Sequence, residues 1–166
     1  GKNGLDKVTN TDQVPDEFKP YAKIYADAYA TVQAAATKAA QNGALNFASD
    51  GKEGSHNTDN NDKSVDAVAN QKGYGDANKG YQAAQSNPDE AANSNSGSVN
   101  EDEAAKGAAA AFNDVAGKDN AKPGDHATSD NNPVYKAAYQ KALAEGKENA
   151  SDGAEALFNN NPNNST

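Results

Sequence analysis

Apolar and small residues recur every three or four positions along most of the chain, which is the period of an α-helix. The clearest example is a stripe of tyrosines spaced four residues apart: Tyr21, Tyr25 and Tyr29. Pro20 suits the first turn of a helix, and Gly43 suits the position just after a helix end. The pattern therefore predicts a first helix over about 20–42, followed by a further turn at 44–47.

The same period returns in later segments, between polar stretches rich in Gly, Asn, Asp and Ser. We predict three more main helices, over about 65–86, 101–116 and 133–148. Ser64 and Asn100 are expected to cap the first two of these, and Asn132-Pro133 to open the third. Two short helices are expected as well: one turn after Asn87-Pro88, and about 152–158 with Ser151 as its cap.

Parts of the sequence repeat. "YAKIYADAYA" (21–30) and "YKAAYQKALA" (135–144) share two tyrosines and a closing alanine at equal spacing, and "DANKGYQAA" (76–84) resembles "EAAKGAAAA" (103–111). A helical unit that stacks on copies of itself produces such repetition. The predicted fold is all-α, a bundle or stacked helical hairpins of about four main helices with short connecting helices. We expect a polar lead-in at 1–19, one helical domain at 20–158 and a polar tail at 159–166.

The composition indicates a thin hydrophobic core. The chain has 34 alanines but only 17 Leu, Ile, Val and Phe residues, about a tenth of its length. Alanine is the best helix former and lets helices approach closely, whereas a β fold needs the branched residues that are scarce here. Tyrosines are therefore expected to supply the bulk of the core: Tyr21, Tyr25, Tyr29, Tyr135 and Tyr139.

The charge balance argues against several partners. The net charge is −9 and arginine is absent, which disfavours binding to nucleic-acid phosphates. The longest apolar run, "AAAAF" at 108–112, is far shorter than the roughly 20 residues of a membrane span, so we expect no membrane insertion. Cysteine is absent, which removes disulfides and thiol chemistry. No cofactor motif is found, and we expect no cofactor.

Catalytic chemistry has few candidates. His56 and His126 each lie in a polar loop and are expected to be exposed to solvent. A metal site shared with nearby carboxylates is the sharper alternative, with Asp59, Asp62 or Asp125 as ligands. A small hydrolase that uses either histidine is a further alternative, but no positioned nucleophile accompanies them. We therefore expect no enzymatic activity.

The motif Lys-Gly-Tyr occurs twice, at 72–74 and 79–81, about two helical turns apart. Gly73 and Gly80 fall on one helical face, where they allow a neighbouring helix to come close. Tyr74 and Tyr81 lie together on the adjacent strip. An aromatic ring can stack on a sugar or anchor an interface, so these two tyrosines are the candidate ligand-binding residues. If they point inward instead, their role is structural.

The tyrosine spacing and the Asn-Pro helix starts ("SNPDEAA", "NNPVYKAAY") resemble alanine-rich regions of large secreted or wall-anchored proteins of lactobacilli and their relatives. These include fibrillar adhesins and the non-catalytic flanks of extracellular glucan- and fructan-forming enzymes. The resemblance implies an extracellular module of a larger multidomain protein, consistent with a start that lacks methionine. We predict an adhesin module that binds a host glycan or glycoprotein. A spacer that displays another domain away from the cell wall is the alternative.

Overall fold

The structure is a computed structural model that describes residues 15–159. Five α-helices make up this part: α1 (Lys19–Ala48), α2 (Val65–Ser86), α3 (Pro88–Ala91), α4 (Val99–Val115) and α5 (Pro133–Asn159). It contains no strand, and four of the helices are long, so the predicted all-α class is confirmed. Most of the predicted lead-in and tail lies outside the described residues, and the predicted domain limits stay a prediction.

The helices α1 and α2 run in the same direction. The Asn70 side chain donates a hydrogen bond to the Ala39 carbonyl oxygen, and further along both helices the Phe47 ring meets the rings of Tyr74 and Tyr81. Positions in contact therefore advance together along the two helices. An antiparallel pair would bring later residues of one helix to earlier residues of the other.

The later pairs are parallel as well. At the start of α4, Ser98 donates a hydrogen bond to Asp76 of α2, and Glu101 accepts one from Lys79 of α2. Beyond the ends of these two helices, Asp89 follows α2 and Lys118 follows α4, and their side chains form an ion pair. Between α4 and α5, Gly107 meets Tyr135 and Val115 meets Gly146. All four long helices thus point the same way.

Parallel neighbours require the chain to travel back after each helix. Three return segments do so: 49–64, 87–98 and 116–132. The first runs back along α1, since Gly51 and Ser55 donate to the carbonyl groups of Asn46 and Asn42. Up-and-down bundles, by contrast, join antiparallel helices through short loops. The helix α3 and the 3₁₀ turn Lys118–Asn120 lie within the second and third return segments.

Glycines set how closely the helices pack. A Cβ built on any of four helical glycines would overlap the backbone of a neighbouring helix: Gly43 at Asn70, Gly73 at Ala40, Gly80 at Glu101 and Gly107 at Tyr135. At Gly73 the added carbon would lie 2.7 Å from the Cα atom of Ala40. The prediction that Gly73 and Gly80 admit a neighbouring helix is confirmed.

Two predicted helix boundaries are wrong for the same kind of reason. Gly43 does not end a helix, because α1 continues to Ala48 and uses this glycine as a buried contact with α2. Likewise Ser151 does not cap a separate helix, since α5 continues from Pro133 to Asn159. A glycine or serine in a sequence favours a break, but a long helix tolerates a glycine at about 1 kcal/mol relative to alanine and a serine at less. Ser98, rather than Asn100, precedes α4.

The core is built mostly from alanine, with a few aromatic rings. The rings of Phe47, Tyr81 and Phe112 form an edge-on series across α1, α2 and α4, with centroids 5.9 and 6.1 Å apart. Tyr135 and Tyr139 are buried at 5% and 0% exposure, which confirms their predicted core role. The same prediction is wrong for Tyr21 and Tyr29, which are 66% and 39% exposed, and Tyr25 is only partly buried.

The first half of α1 and the last part of α5 project from opposite ends of the bundle. The α2 helix begins beside the middle of α1, so residues 19–35 extend below it, and every residue of 147–159 is exposed beyond the other end. Lys141 marks the common level, since its Nζ atom lies 5.4 Å from the Phe47 ring centroid. Among the described helices, none is both long and apolar enough to cross a membrane.

Candidate functional site

Tyr81, one of the two predicted ligand contacts, points into the core. It is 3% exposed, and its hydroxyl donates a 2.6 Å hydrogen bond to Glu145 of α5. Lys141 Nζ lies 5.4 Å from its ring centroid. Burial, reinforced by the bond to Glu145, raises the pKa of the Tyr81 phenol far above its ordinary value. A ring enclosed in this way offers no face to a ligand, so its position supports a structural role that joins α2 to α5.

Tyr74 occupies an intermediate position, with one edge in the core and one face toward the first return segment. Its ring meets Phe47 edge-on at 5.4 Å. The His56 imidazole lies over the ring, with centroids 3.7 Å apart and planes inclined by 31°. Both side chains are partly exposed, so they form an aromatic pair at the surface. Sequence reasoning singled out both residues but did not bring them together.

A polar cavity of about 380 Å³ opens beside His56, between the first return segment and the helices α1 and α2. Asn70 of α2 closes its floor: the side chain is 6% exposed, accepts a hydrogen bond from Asn57 N (2.6 Å) and donates to the carbonyl oxygens of Ser55 and Ala39. Three of the four hydrogen-bonding positions of the buried amide are therefore occupied by backbone groups. Asn70 holds the return segment, and with it His56, in place.

Asp62 supplies the carboxylate of the cavity. It accepts hydrogen bonds from Ser64 N (2.9 Å) and from Asn57 Nδ2 (3.2 Å). The bond from the Ser64 backbone is the main reason why the pKa of Asp62 is lowered. The described part of the chain holds no group of three His, Asp or Glu side chains suited to a metal ion. The predicted metal alternative thus finds no such cluster at Asp59, Asp62 or Asp125.

The third return segment is held by a fully buried carboxylate. Asp114 of α4 is 0% exposed and accepts three hydrogen bonds: from Tyr139 Oη (2.5 Å), from His126 N (3.0 Å) and from the ring Nδ1 of His126 (2.5 Å). The Tyr139 hydroxyl in turn accepts from Gly124 N at 2.8 Å. Tyr135 adds a bond to the His126 carbonyl oxygen. These residues tie 124–126 to both α4 and α5.

Hydrogen bonds decide the protonation of this cluster. Burial by itself raises the pKa of Asp114, but the bonds from Tyr139 and His126 outweigh it and hold the pKa below its ordinary value. Burial, followed by the bond to Asp114, raises the pKa of Tyr139 to about 12. At neutral pH the cluster therefore contains a carboxylate and a neutral phenol, the arrangement in which the phenol donates.

The Asp114–His126 pair has the form of the orienting half of a catalytic triad. In the described residues no serine or threonine hydroxyl bonds to the His126 ring, which is itself about half exposed. His56 lies on a different return segment and lines a different cavity. The geometry therefore gives Asp114 a structural role, as the anchor of a loop.

Each return segment has such an anchor on a helix. Asn70 holds the first and Asp114 the third, while Asp102 of α4 accepts hydrogen bonds from Ser94 Oγ and Ser96 N in the second, both at 2.8 Å. Sequence reasoning missed all three. The available indication was an Asn or Asp next to the apolar helix positions, as in "VANQ" and "FNDV".

Comparisons with known proteins found no family model, no curated protein and no solved structure that matches this chain.

Proposed function

We propose that this chain is a spacer module of a larger extracellular protein of a bacterial surface, the second of the two functions considered from the sequence. The observation that carries the proposal is the parallel bundle from whose opposite ends α1 and α5 project. A module of this shape separates what is attached at one end from what is attached at the other. The bacterial surface location rests on the compositional resemblance to lactobacillus surface proteins.

The dimensions support this role. From Lys19 to Phe47, α1 spans about 42 Å, and from Lys141 to Asn159, α5 spans about 27 Å. Since Phe47 and Lys141 share one level, the described chain is about 70 Å long. A compact domain of similar size is only about 38 Å across. The long axis is obtained from few aliphatic residues, because alanine and glycine let the helices pack closely.

A distance between the two projecting ends tests the proposal. The chain lacks cysteine, so Lys19→Cys and Glu155→Cys give two unique sites for spin labels. We expect a single distance distribution near 60 Å from electron resonance on the dilute protein. A broad distribution centred below about 40 Å means a compact or collapsed chain and contradicts a spacer.

Adhesion is the second candidate function, and the His56–Tyr74 pair is the observation that favours it. His56 lines a cavity that also presents Asp62 and Asn57, and the Tyr74 ring packs against the His56 imidazole. Aromatic faces beside carboxylate and amide groups suit a sugar, which stacks on the ring and bonds through its hydroxyls. The ligand class proposed is a host glycan or glycoprotein.

Glycan arrays and mucin-binding assays test this candidate. Tyr74→Ala and His56→Ala should each weaken binding about fivefold, since an aromatic contact contributes about 1 kcal/mol. Tyr29→Ala, which removes an exposed tyrosine from α1, is the matched control and should bind as the wild type does. Tyr81→Ala is unsuitable, because removing a buried ring destabilises the fold by about 3–5 kcal/mol. Wild-type binding in both site variants would exclude the pair as a site.

A further inference from the structure

The projecting half of α1 carries an uncovered apolar stripe. Its members lie three and four residues apart on one helical face and are exposed, with Tyr21 at 66%, Ile24 at 68% and Val32 at 51%. Ala28, also exposed, completes it. We call these residues the α1 stripe: Tyr21, Ile24, Ala28 and Val32. Single exposed apolar residues are ordinary on a protein surface, but a continuous row on one helix is typical of an interaction surface.

The repeat within the chain shows what such a stripe does. Aligning "YAKIYADAYA" of α1 with "YKAAYQKALA" of α5 matches the α1 stripe, position by position, to Tyr135, Ala138, Ala142 and Gly146. All four of these α5 residues are buried, at 5% exposure for Tyr135 and 0% for Ala138 and Ala142. The face that is exposed in α1 is thus the face by which α5 packs on α4.

The complementary surface lies at the other end of the chain. In three successive pairs the earlier helix presents a glycine to the backbone of the next helix: Gly43 to α2, Gly80 to α4 and Gly107 to α5. The corresponding glycine of α5 is Gly153, since "DGAEALF" (152–158) matches "KGAAAAF" (106–112) in its Gly, Ala and Phe. A Cβ built on Gly153 would meet nothing within 4 Å. The receiving position is present and empty.

The two surfaces also complement each other in exposure and charge. Beside Gly153, Leu157 and Phe158 are 77% and 62% exposed. The segment 147–159 carries one lysine and three acidic residues, whereas 19–35 carries two lysines and one aspartate. Gly80 and Gly107 each follow a lysine, whereas Gly153 follows Asp152, and the opposite surface offers Lys19 and Lys23. Opposite net charges favour this pairing over either surface with itself.

We propose that a second copy of this chain docks head to tail, with its Tyr21 backbone against Gly153 of the first copy and its α1 stripe, from Tyr21 to Ala28, lying along residues 153–159. The contact repeats between chains the parallel α4–α5 packing within one chain. Because the two surfaces differ, each added copy leaves both kinds of surface free at the ends, and the assembly is open-ended. The inference rests on the proposed spacer function, which it extends from one module to a row of modules.

One helix pair makes a small interface, so the association is expected to be weak. Sedimentation equilibrium of the full chain from roughly 10 μM to 1 mM suits such affinities. The mass average should rise above the 17.1 kDa of one chain without levelling off at a dimer. Ile24→Glu blocks the α1 stripe at an exposed position, and Gly153→Ala places a methyl group where the backbone should dock. Each variant alone should stay monomeric, with association weakened at least about 100-fold.

Mixing the two variants gives the sharpest result. Each variant retains the surface that the other lacks, so an equimolar mixture should form one heterodimer and nothing larger. Gly75→Ala, at another helical glycine with open space around it, is the control and should associate like the wild type. Circular dichroism confirms that all variants are folded.

Three outcomes overturn the inference: a monomeric wild type at 1 mM, wild-type association of Gly153→Ala, or a mixture of the two variants that stays monomeric. Association that persists in both variants identifies another surface or another occupant. The spacer proposal is tested separately, because the distance between Lys19→Cys and Glu155→Cys is measured on dilute monomer. A monomeric chain that keeps the 60 Å separation therefore contradicts the docking alone.

Discussion

The substitution Gly73→Ala tests whether close helix contact determines the stability of this fold. A Cβ at this position would overlap the Ala40 carbonyl and lie 2.7 Å from its Cα, whereas ordinary contacts begin at 3.4 Å. The helices α1 and α2 must then separate by more than an ångström over a shared alanine surface, because the Ala40 carbonyl oxygen is overlapped more deeply than the Cα. Such overpacking costs about 1–3 kcal/mol. The new alanine returns about 1 kcal/mol through its better helix propensity.

Gly75→Ala is the matched control, because Gly75 lies in the same helix two residues later and has nothing within 4 Å. Only the propensity gain applies there, so this variant should be more stable by about 1 kcal/mol. The two variants should therefore differ by about 1–3 kcal/mol in the free energy of unfolding. For a chain of this size the difference corresponds to about 2–4 °C in Tm per kcal/mol. Thermal and urea unfolding followed at 222 nm would measure it, and equal stabilisation by both variants would refute the packing argument.

Two further predictions concern the buried cluster. Asp114→Asn keeps the shape of the side chain but removes the charge that strengthens the bonds from Tyr139 and His126. Urea denaturation should show that the free energy of unfolding falls by about 1–3 kcal/mol. The control Asp119→Asn, on the exposed 3₁₀ turn, should leave it almost unchanged. Because the pKa of Asp114 is lowered in the folded state, this carboxylate stabilises the wild-type fold at pH values above its ordinary pKa of 3.8, and the stabilisation is lost as the pH falls further. The Asp114→Asn variant should lack this acid-sensitive part of the stability. At alkaline pH the sign reverses, since the folded-state pKa of Tyr139 is raised from 10.0 to about 12. The contribution of Tyr139 to the stability of the fold is complete below pH 10 and is lost between pH 10 and about 12. The free energy of unfolding measured across this range should therefore fall less steeply in Tyr139→Phe than in the wild type. Equal slopes would contradict the raised pKa of Tyr139.

Local features of the sequence predicted the helices well. The period of apolar residues located all four long helices, and short-range capping chemistry fixed several starts. Ser64 accepts a hydrogen bond from Ala67 N, Asn87 accepts from Glu90 N and Asn132 from Val134 N. These interactions involve residues two or three apart, so their pattern is visible in a single sequence.

What the sequence did not show depends on distant neighbours. Tyr21 and Tyr135 have nearly the same local sequence, yet one is exposed and the other buried, because only the second has a helix beside it. Gly43 has the local features of a helix end, but α2 requires a glycine inside α1. The direction of successive helices is set by the path of the return segments, whose polar composition fits a tight turn or a long return equally well. The anchors Asn70 and Asp114 became recognisable only once those paths were known.

The parallel course of the helices has a mechanical consequence. A pull on the two ends of the chain enters at the free end of α1 and leaves at the opposite end of α5, so it loads the helix interfaces along their length. In a four-helix up-and-down bundle both ends emerge on one side, and a pull peels the outer helices away one at a time. Here the backbones interlocked at Gly73, Gly80 and Gly107 must slide past one another together. Resistance to force, which the unfolding rate governs, would then arise from many contacts broken at once.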